Sequence, residues 1–262
     1  MTTPQPFRLA VPDSALDDLR ERLARTRWPD EPPLEPWSTG TSLAYMQELA
    51  EYWRTKFDWR AQEARLNAFE QYAVPIRGID LHFLHVKGRR KDAMPLLISH
   101  GWPGSVFEFL RLIPLLQDDF TVVAPSLPGY GLSFKPGQRR FSVEEIADLY
   151  AELMSVLGYE RFGAQGGDWG AFVASCLGHR FPKRLIGVHL NLLAVRRDPK
   201  EPAQSPEEAA YLRELAQWLK EDMGYQWIQG TRPQTLAYGL SDSPAGLAAW
   251  IVEKFRAWSD CG

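Results

Sequence analysis

Between Leu96 and Leu190 short apolar runs alternate with amphipathic helical patterns, and few architectures accept that order. Leu96–Ile98, Thr121–Ala124, Phe162–Gln165 and Leu185–Leu190 read as strands. Phe162–Gln165 is the weakest of them, because Gly163 and Ala164 have little β-propensity. Helices are predicted over residues 105–116, 142–157 and 169–180. Ser105 with Glu108 and Ser142 with Glu145 supply capping boxes for the first two, and Gly158 stops the second. Such alternation specifies an α/β protein with a mostly parallel sheet flanked by helices.

The flanking segments differ. Leu16, Leu19 and Leu23 share one helical face, Pro29–Pro36 is a proline-rich linker, and helical patterns resume over residues 43–53 and 59–69. Tyr72–Ile76 and Leu81–Val86 are β-like runs around Arg77-Gly78, a hairpin signal. After Asn191 the alternation breaks. Asp198–Pro206 is polar and proline-rich, a helix follows to Lys220, and a mixed stretch carries Tyr225 and Tyr238. Ser243-Pro244 starts a last helix with Leu247, Trp250, Ile251, Phe255 and Trp258 on one face. The reading is a helical N-terminal region over 1–70, a core over 71–194 and a helical region over 195–262.

Composition excludes several classes. Charged residues make up 24% and the net charge is -3, which gives no footprint for nucleic acid. Cys176 and Cys261 make neither a disulfide framework nor a metal motif, so no cofactor or metal is expected. No run approaches the ~18 apolar residues of a membrane span, and Met1–Arg8 lacks signal-peptide character. A soluble, cytoplasmic protein is expected.

Three loops carry chemistry. Gly166-Gly167-Asp168-Trp169-Gly170 lies between strand and helix, with small residues around a central Asp. In a nucleophile elbow the central residue is strained and its side chain projects at the carboxyl end of the sheet. The alternative is a tight turn capped by an Asp. His100-Gly-Trp-Pro-Gly-Ser105 follows the Leu96–Ile98 strand, where this fold supplies one oxyanion-hole N–H; the other comes from the residue after the nucleophile. The candidates are Trp102 and Trp169. Ser126-Leu-Pro-Gly-Tyr-Gly-Leu-Ser133 is a third loop at the same edge.

With these motifs in the order of an α/β-hydrolase fold, the chain resembles the microsomal-type epoxide hydrolases, which have a helical N-terminal region. Phe7-Arg-Leu-Ala-Val-Pro12, Arg27-Trp28-Pro29, the two loops above and the stretch from Tyr225 to Trp250 carry the resemblance. It implies xenobiotic detoxification, with a small apolar epoxide and water as substrates. Asp168 would attack as a carboxylate, which is ionised at neutral pH and needs no base. Tyr225 would protonate the alkoxide. Tyr225–Trp250 would belong to the family's cap.

One part of the family's machinery is missing from the pattern. The five histidines are His82, His85, His100, His179 and His189, and none follows the cap region, where the fold's order of nucleophile, acid and histidine would put it. The catalytic acid, the histidine, the second tyrosine and the last core strands are expected beyond Gly262, which makes the chain a truncated N-terminal portion. An uncovered sheet edge would then favour association, leaving a homo-oligomer open. The rival readings are a haloalkane dehalogenase, which also uses an elbow Asp, and a non-catalytic fragment that binds apolar ligands. A serine-type esterase is disfavoured, because an acyl group on Asp168 would be an anhydride.

Overall fold

The computed structural model describes residues 3–193 and 201–261. Among the described residues seven strands form one sheet: β1 (Gln5–Pro6), β2 (Gln71–Ile76), β3 (Ile79–Val86), β4 (Met94–Ser99), β5 (Phe120–Pro125), β6 (Phe162–Gly166) and β7 (Leu185–Leu190). Their order is β1-β2-β3-β5-β4-β6-β7. The β1–β2, β2–β3 and β3–β5 pairs are antiparallel, and β5–β4, β4–β6 and β6–β7 are parallel. The helices are α1 (Asp13–Ala24), α2 (Leu43–Thr55), α3 (Trp59–Asn67), α4 (Ile113–Leu116), α5 (Val143–Val156), α6 (Trp169–Arg180), α7 (Pro206–Glu221), α8 (Gly224–Thr231), α9 (Pro233–Asp242) and α10 (Pro244–Ala257).

Contacts divide the chain into two units, Met1–Ala10 with Asp58–Val195, and Val11–Phe57 with Arg196–Gly262. The first holds the sheet and α3–α6. The second is helical: α1 packs on α2, and α10 on α9, α1 and α2.

The period-two pattern of the strands builds a core on each face of the sheet. Leu81, Phe83, Leu97 and Val123 face one cluster with Leu149, Tyr150 and Leu153 of α5 and Val173 and Leu177 of α6. Leu84, Ile98, Val122 and Ala124 face the other, with Leu66 of α3, Phe109 and Ile113. The two-residue hairpin joins Ile76 to Ile79, with Arg77 at φ 46° and Gly78 at φ 85°. Positive φ at both central residues matches the strands' twist, which is why Gly follows Arg here.

Local signals are mostly realised. The Ser142/Glu145 capping box forms, and Gly158 takes φ 82° just after α5. The weak Phe162–Gln165 strand forms as β6. The helix expected over 105–116 is a correction. It is a 3-10 turn, Val106–Leu110, followed by α4, and the Ser105 hydroxyl accepts from the Phe107 N–H instead of completing an α-helical box. Pro114 is the reason: it has no N–H to return to the preceding turn, so a continuous helix cannot cross it. The mixed stretch around Tyr225 and Tyr238 resolves into α8 and α9. Part of the polar stretch from Asp198 lies outside the described residues.

Among the described residues β7 is a sheet edge, and its Ile186 and Val188 are 47% and 41% exposed. Apolar unpaired edges template association. The 262-residue chain is therefore expected to self-associate in light-scattering measurements, and Val188→Lys to shift it towards monomer. A wild-type chain that stays monomeric at ~100 μM, where such exposed edges ordinarily associate, would refute this.

Candidate active site

The turn between β6 and α6 sets the geometry. Asp168 has φ 49° and ψ -125°, a conformation that L residues rarely hold outside functional sites. Its neighbours permit it. A β-carbon on Gly166 would overlap the Gly170 carbonyl, and one on Gly170 would overlap the Ser99 carbonyl. Helix α6 thus sits directly against the end of β4 because two side chains are missing.

The end of β4 brings the second loop in. The Trp102 N–H donates to Asp168 Oδ1 at 2.8 Å. A β-carbon on Gly101 would collide with the Asp168 side chain, so this glycine makes room for the carboxylate. Trp169 opens α6 immediately after Asp168. Its N–H is one of the first-turn groups that a helix leaves without an internal acceptor. The structure therefore brings Asp168, Trp102 and Trp169 to one place.

Two groups there were not singled out from the sequence. The Tyr130 hydroxyl is pushed up to about 12 by burial and, next, by the Asp168 charge. Glu108 is raised by desolvation and by Asp168, while the N–H groups of Ser105 and Gly101 act in the opposite direction. The sequence presents Glu108 as a capping residue; the glycine at 104, where a β-carbon would overlap its carboxylate, is the signal that it folds back over the loop.

The buried histidines have other work. His100 Nε2 accepts from the Leu127 N–H at 3.0 Å, and Nδ1 is 3.1 Å from the Gly101 carbonyl, so both nitrogens are engaged and Nδ1 carries the proton. His82 bridges Ser126 Oγ and Gln71 Oε1, and His85 meets the Tyr159 hydroxyl. Burial holds all three near pKa 4. His179 lies in the last turn of α6 and His189 in β7. Among the described residues no histidine is hydrogen-bonded to Asp168.

The depressed values have a consequence for stability. The unfolded chain protonates these imidazoles near pH 6.5, and the folded chain only near 4. Their contribution is therefore intact above 6.5 and is lost as pH falls from 6.5 towards 4, by up to ~3 kcal/mol for each histidine. Tm should drop steeply across that window, and His85→Gln should shallow the slope by removing one of the three protons taken up. A flat Tm between pH 7 and 5 would contradict it.

Tyr225 lies in the helical unit, near the start of α8. Its ring meets Trp258 edge-to-face at 5.2 Å. Tyr238, on α9, is 73% exposed. Among the described residues no helix is long and apolar enough to cross a membrane.

A mixed, mostly parallel sheet with flanking helices, a strained strand-to-helix elbow and an adjacent N–H on the elbow side chain define an α/β-hydrolase fold, here with a carboxylate at the elbow. Residues 94–221 match the α/β-hydrolase fold family, and residues 4–109 match the epoxide hydrolase N terminus. The chain belongs to the epoxide hydrolase family. It is 48% identical to a putative epoxide hydrolase of Stigmatella aurantiaca, covering 97% of this chain and 60% of that protein. It is 35% identical to epoxide hydrolase 1 of Oryctolagus cuniculus, covering 98% of this chain and 63% of the relative. The solved Aspergillus niger epoxide hydrolase superposes with a TM-score of 0.86 at 35% identity, over 97% of this chain and 69% of that one. The chain thus spans about three fifths of the length of these curated relatives.

Proposed function

We propose that this chain opens small apolar epoxides through Asp168. The attacking carboxylate oxygen bonds to an epoxide carbon as the carbon–oxygen bond of the ring breaks. Tyr225 gives its hydroxyl proton to the departing alkoxide, leaving an alkyl ester on Asp168 and a phenolate that regains a proton from solvent. Completing the cycle would require water to add to the ester carbonyl, with collapse releasing the vicinal diol and restoring the carboxylate, a step that needs a general base beyond the groups named here.

The observation that carries the reading is the Trp102 N–H on Asp168 Oδ1, within a strained elbow. That contact divides the labour of the two oxygens. Oδ1 is tethered, so the other attacks. Oδ1 becomes the ester carbonyl and holds the negative charge when water adds, with Trp102 and Trp169 as the proposed oxyanion donors. Residues 1–70, 71–194 and 195–262 are proposed as helical region, hydrolase core and cap. The free Cys176 and Cys261 support a reducing, cytoplasmic location.

Intact-mass analysis after incubation with styrene oxide tests the reading. One added epoxide on the peptide containing Asp168 is expected. Halide release from a bromoalkane without epoxide labelling would replace this assignment with a dehalogenase, and an unmodified Asp168 in folded protein would sink it.

A further inference from the structure

Lys254 is a buried charge that the reaction above does not use. Its side chain is 7% exposed on α10. Nζ lies 5.1 Å from the centroid of the Tyr225 ring and 5.8 Å from that of Trp258. It donates to the Asp222 carbonyl, where α7 ends, at 3.3 Å, and pairs with Glu253 Oε2 at 2.7 Å. One ammonium therefore ties the α7–α8 junction to α10 and lies against the ring of Tyr225.

Stability does not explain a lysine here. Desolvating an ammonium is unfavourable, and an apolar side chain of the same length would commonly pack at least as well. Glu253, the carbonyl and the two rings compensate the charge, which keeps it in place on the same helical stripe as Leu247, Trp250, Ile251 and Trp258, where an apolar side chain would be expected.

We infer that Lys254 is the positioning residue of Tyr225: it fixes the ring and stabilises the phenolate that forms as Tyr225 gives up its proton. This rests on Tyr225 being the proton donor. A neutral phenol gains only the ring's weak attraction for the cation, whereas a phenolate gains a full opposite charge. The charge therefore acts more strongly on the donating state than on the resting one. Glu253, on the same helix, offsets part of it.

The test separates this inference from the reading it rests on. The first readout needs no substrate. Tyr225 is followed by NMR in protein carrying ring-labelled tyrosine, its signal among the nine tyrosines assigned with Tyr225→Phe. In Lys254→Met its titration should move up by about one pH unit, and in Glu253→Gln, which keeps the ammonium and removes its counter-charge, it should move down. Lys254→Arg should leave it near the wild-type position. The second readout is the single-turnover rate of Asp168 alkylation, expected to fall about tenfold or more in Lys254→Met. A Tyr225 titration unmoved in both Lys254→Met and Glu253→Gln overturns the inference. If Lys254→Met does not fold, Glu253→Gln and Lys254→Arg decide it in the same way. Titrations that move as expected while Tyr225→Phe alkylates at the wild-type rate would show the electrostatic link to be real and the donor role of Tyr225 to be wrong, which overturns the positioning role.

Discussion

Asp168→Ala should lose covalent capture of styrene oxide by a factor on the order of 10⁴ or more, the scale expected when the bond-forming group itself is removed. Wild-type chain should take up one epoxide per molecule, and the label should map to Asp168. The same experiment carries a second expectation. The isolated 262-residue chain should hold the ester and release diol no faster than the ester hydrolyses unaided. Adding water to an ester at neutral pH needs a base within reach. The nitrogens of His100 are engaged by Leu127 and Gly101, His82 is held by Ser126 and Gln71, and no described histidine is hydrogen-bonded to Asp168. Time-resolved intact-mass spectra would show an adduct that rises and stays. Steady-state diol formation by this chain would refute the expectation, and equal labelling of Asp168→Ala would remove Asp168 from the mechanism.

Gly170→Ala should be severely damaging to the site. Its β-carbon would meet the Ser99 carbonyl carbon at 2.6 Å and the His100 carbonyl oxygen at 2.9 Å. These are backbone atoms of β4 and the loop behind it, so no side-chain rotation relieves the clash. Helix α6 would have to lift away from the sheet. A loss of roughly 3 kcal/mol or more follows, a fall in Tm of about 10 °C in a chain of this length. Gly230→Ala is the internal comparison. Nothing lies within 4 Å of its β-carbon, and it sits inside α8. There the same substitution should stabilise by about 0.5–1 kcal/mol through helix propensity. Thermal melts of the two variants should diverge in sign, and a Gly170→Ala melt within 2 °C of wild type would show that α6 does not press on β4 as described.

How much of this was legible follows from the range of each signal. The Ser142 cap, the Gly158 stop and the Arg77-Gly78 hairpin are local, and each appears where a few residues place it. The elbow was legible because its chemistry lies in five consecutive residues. The helix expected over residues 105–116 failed for a local reason too, since Pro114 was present in the sequence and outweighed the cap signal. The same cap signal hides the place of Glu108 in the site. Its part in the site depends on the loop folding back, which Gly104 permits and does not by itself announce.

By itself the sequence determined the sheet-and-helix class, the glycines around Asp168 and the candidacy of Asp168, because periodicity, capping and turn chemistry act over a few residues. The tertiary structure decided the rest. It put the Trp102 N–H on an oxygen 66 positions away in the chain. It showed which histidine nitrogens are already engaged. It also seated an ammonium on the apolar stripe of α10, where Lys254 is buried against Tyr225 and Trp258, while Phe255 at the margin of that stripe is 53% exposed. A helical pattern ranks residues by their own polarity. What an ammonium does when two rings and a carbonyl close around it depends on groups that periodicity cannot see.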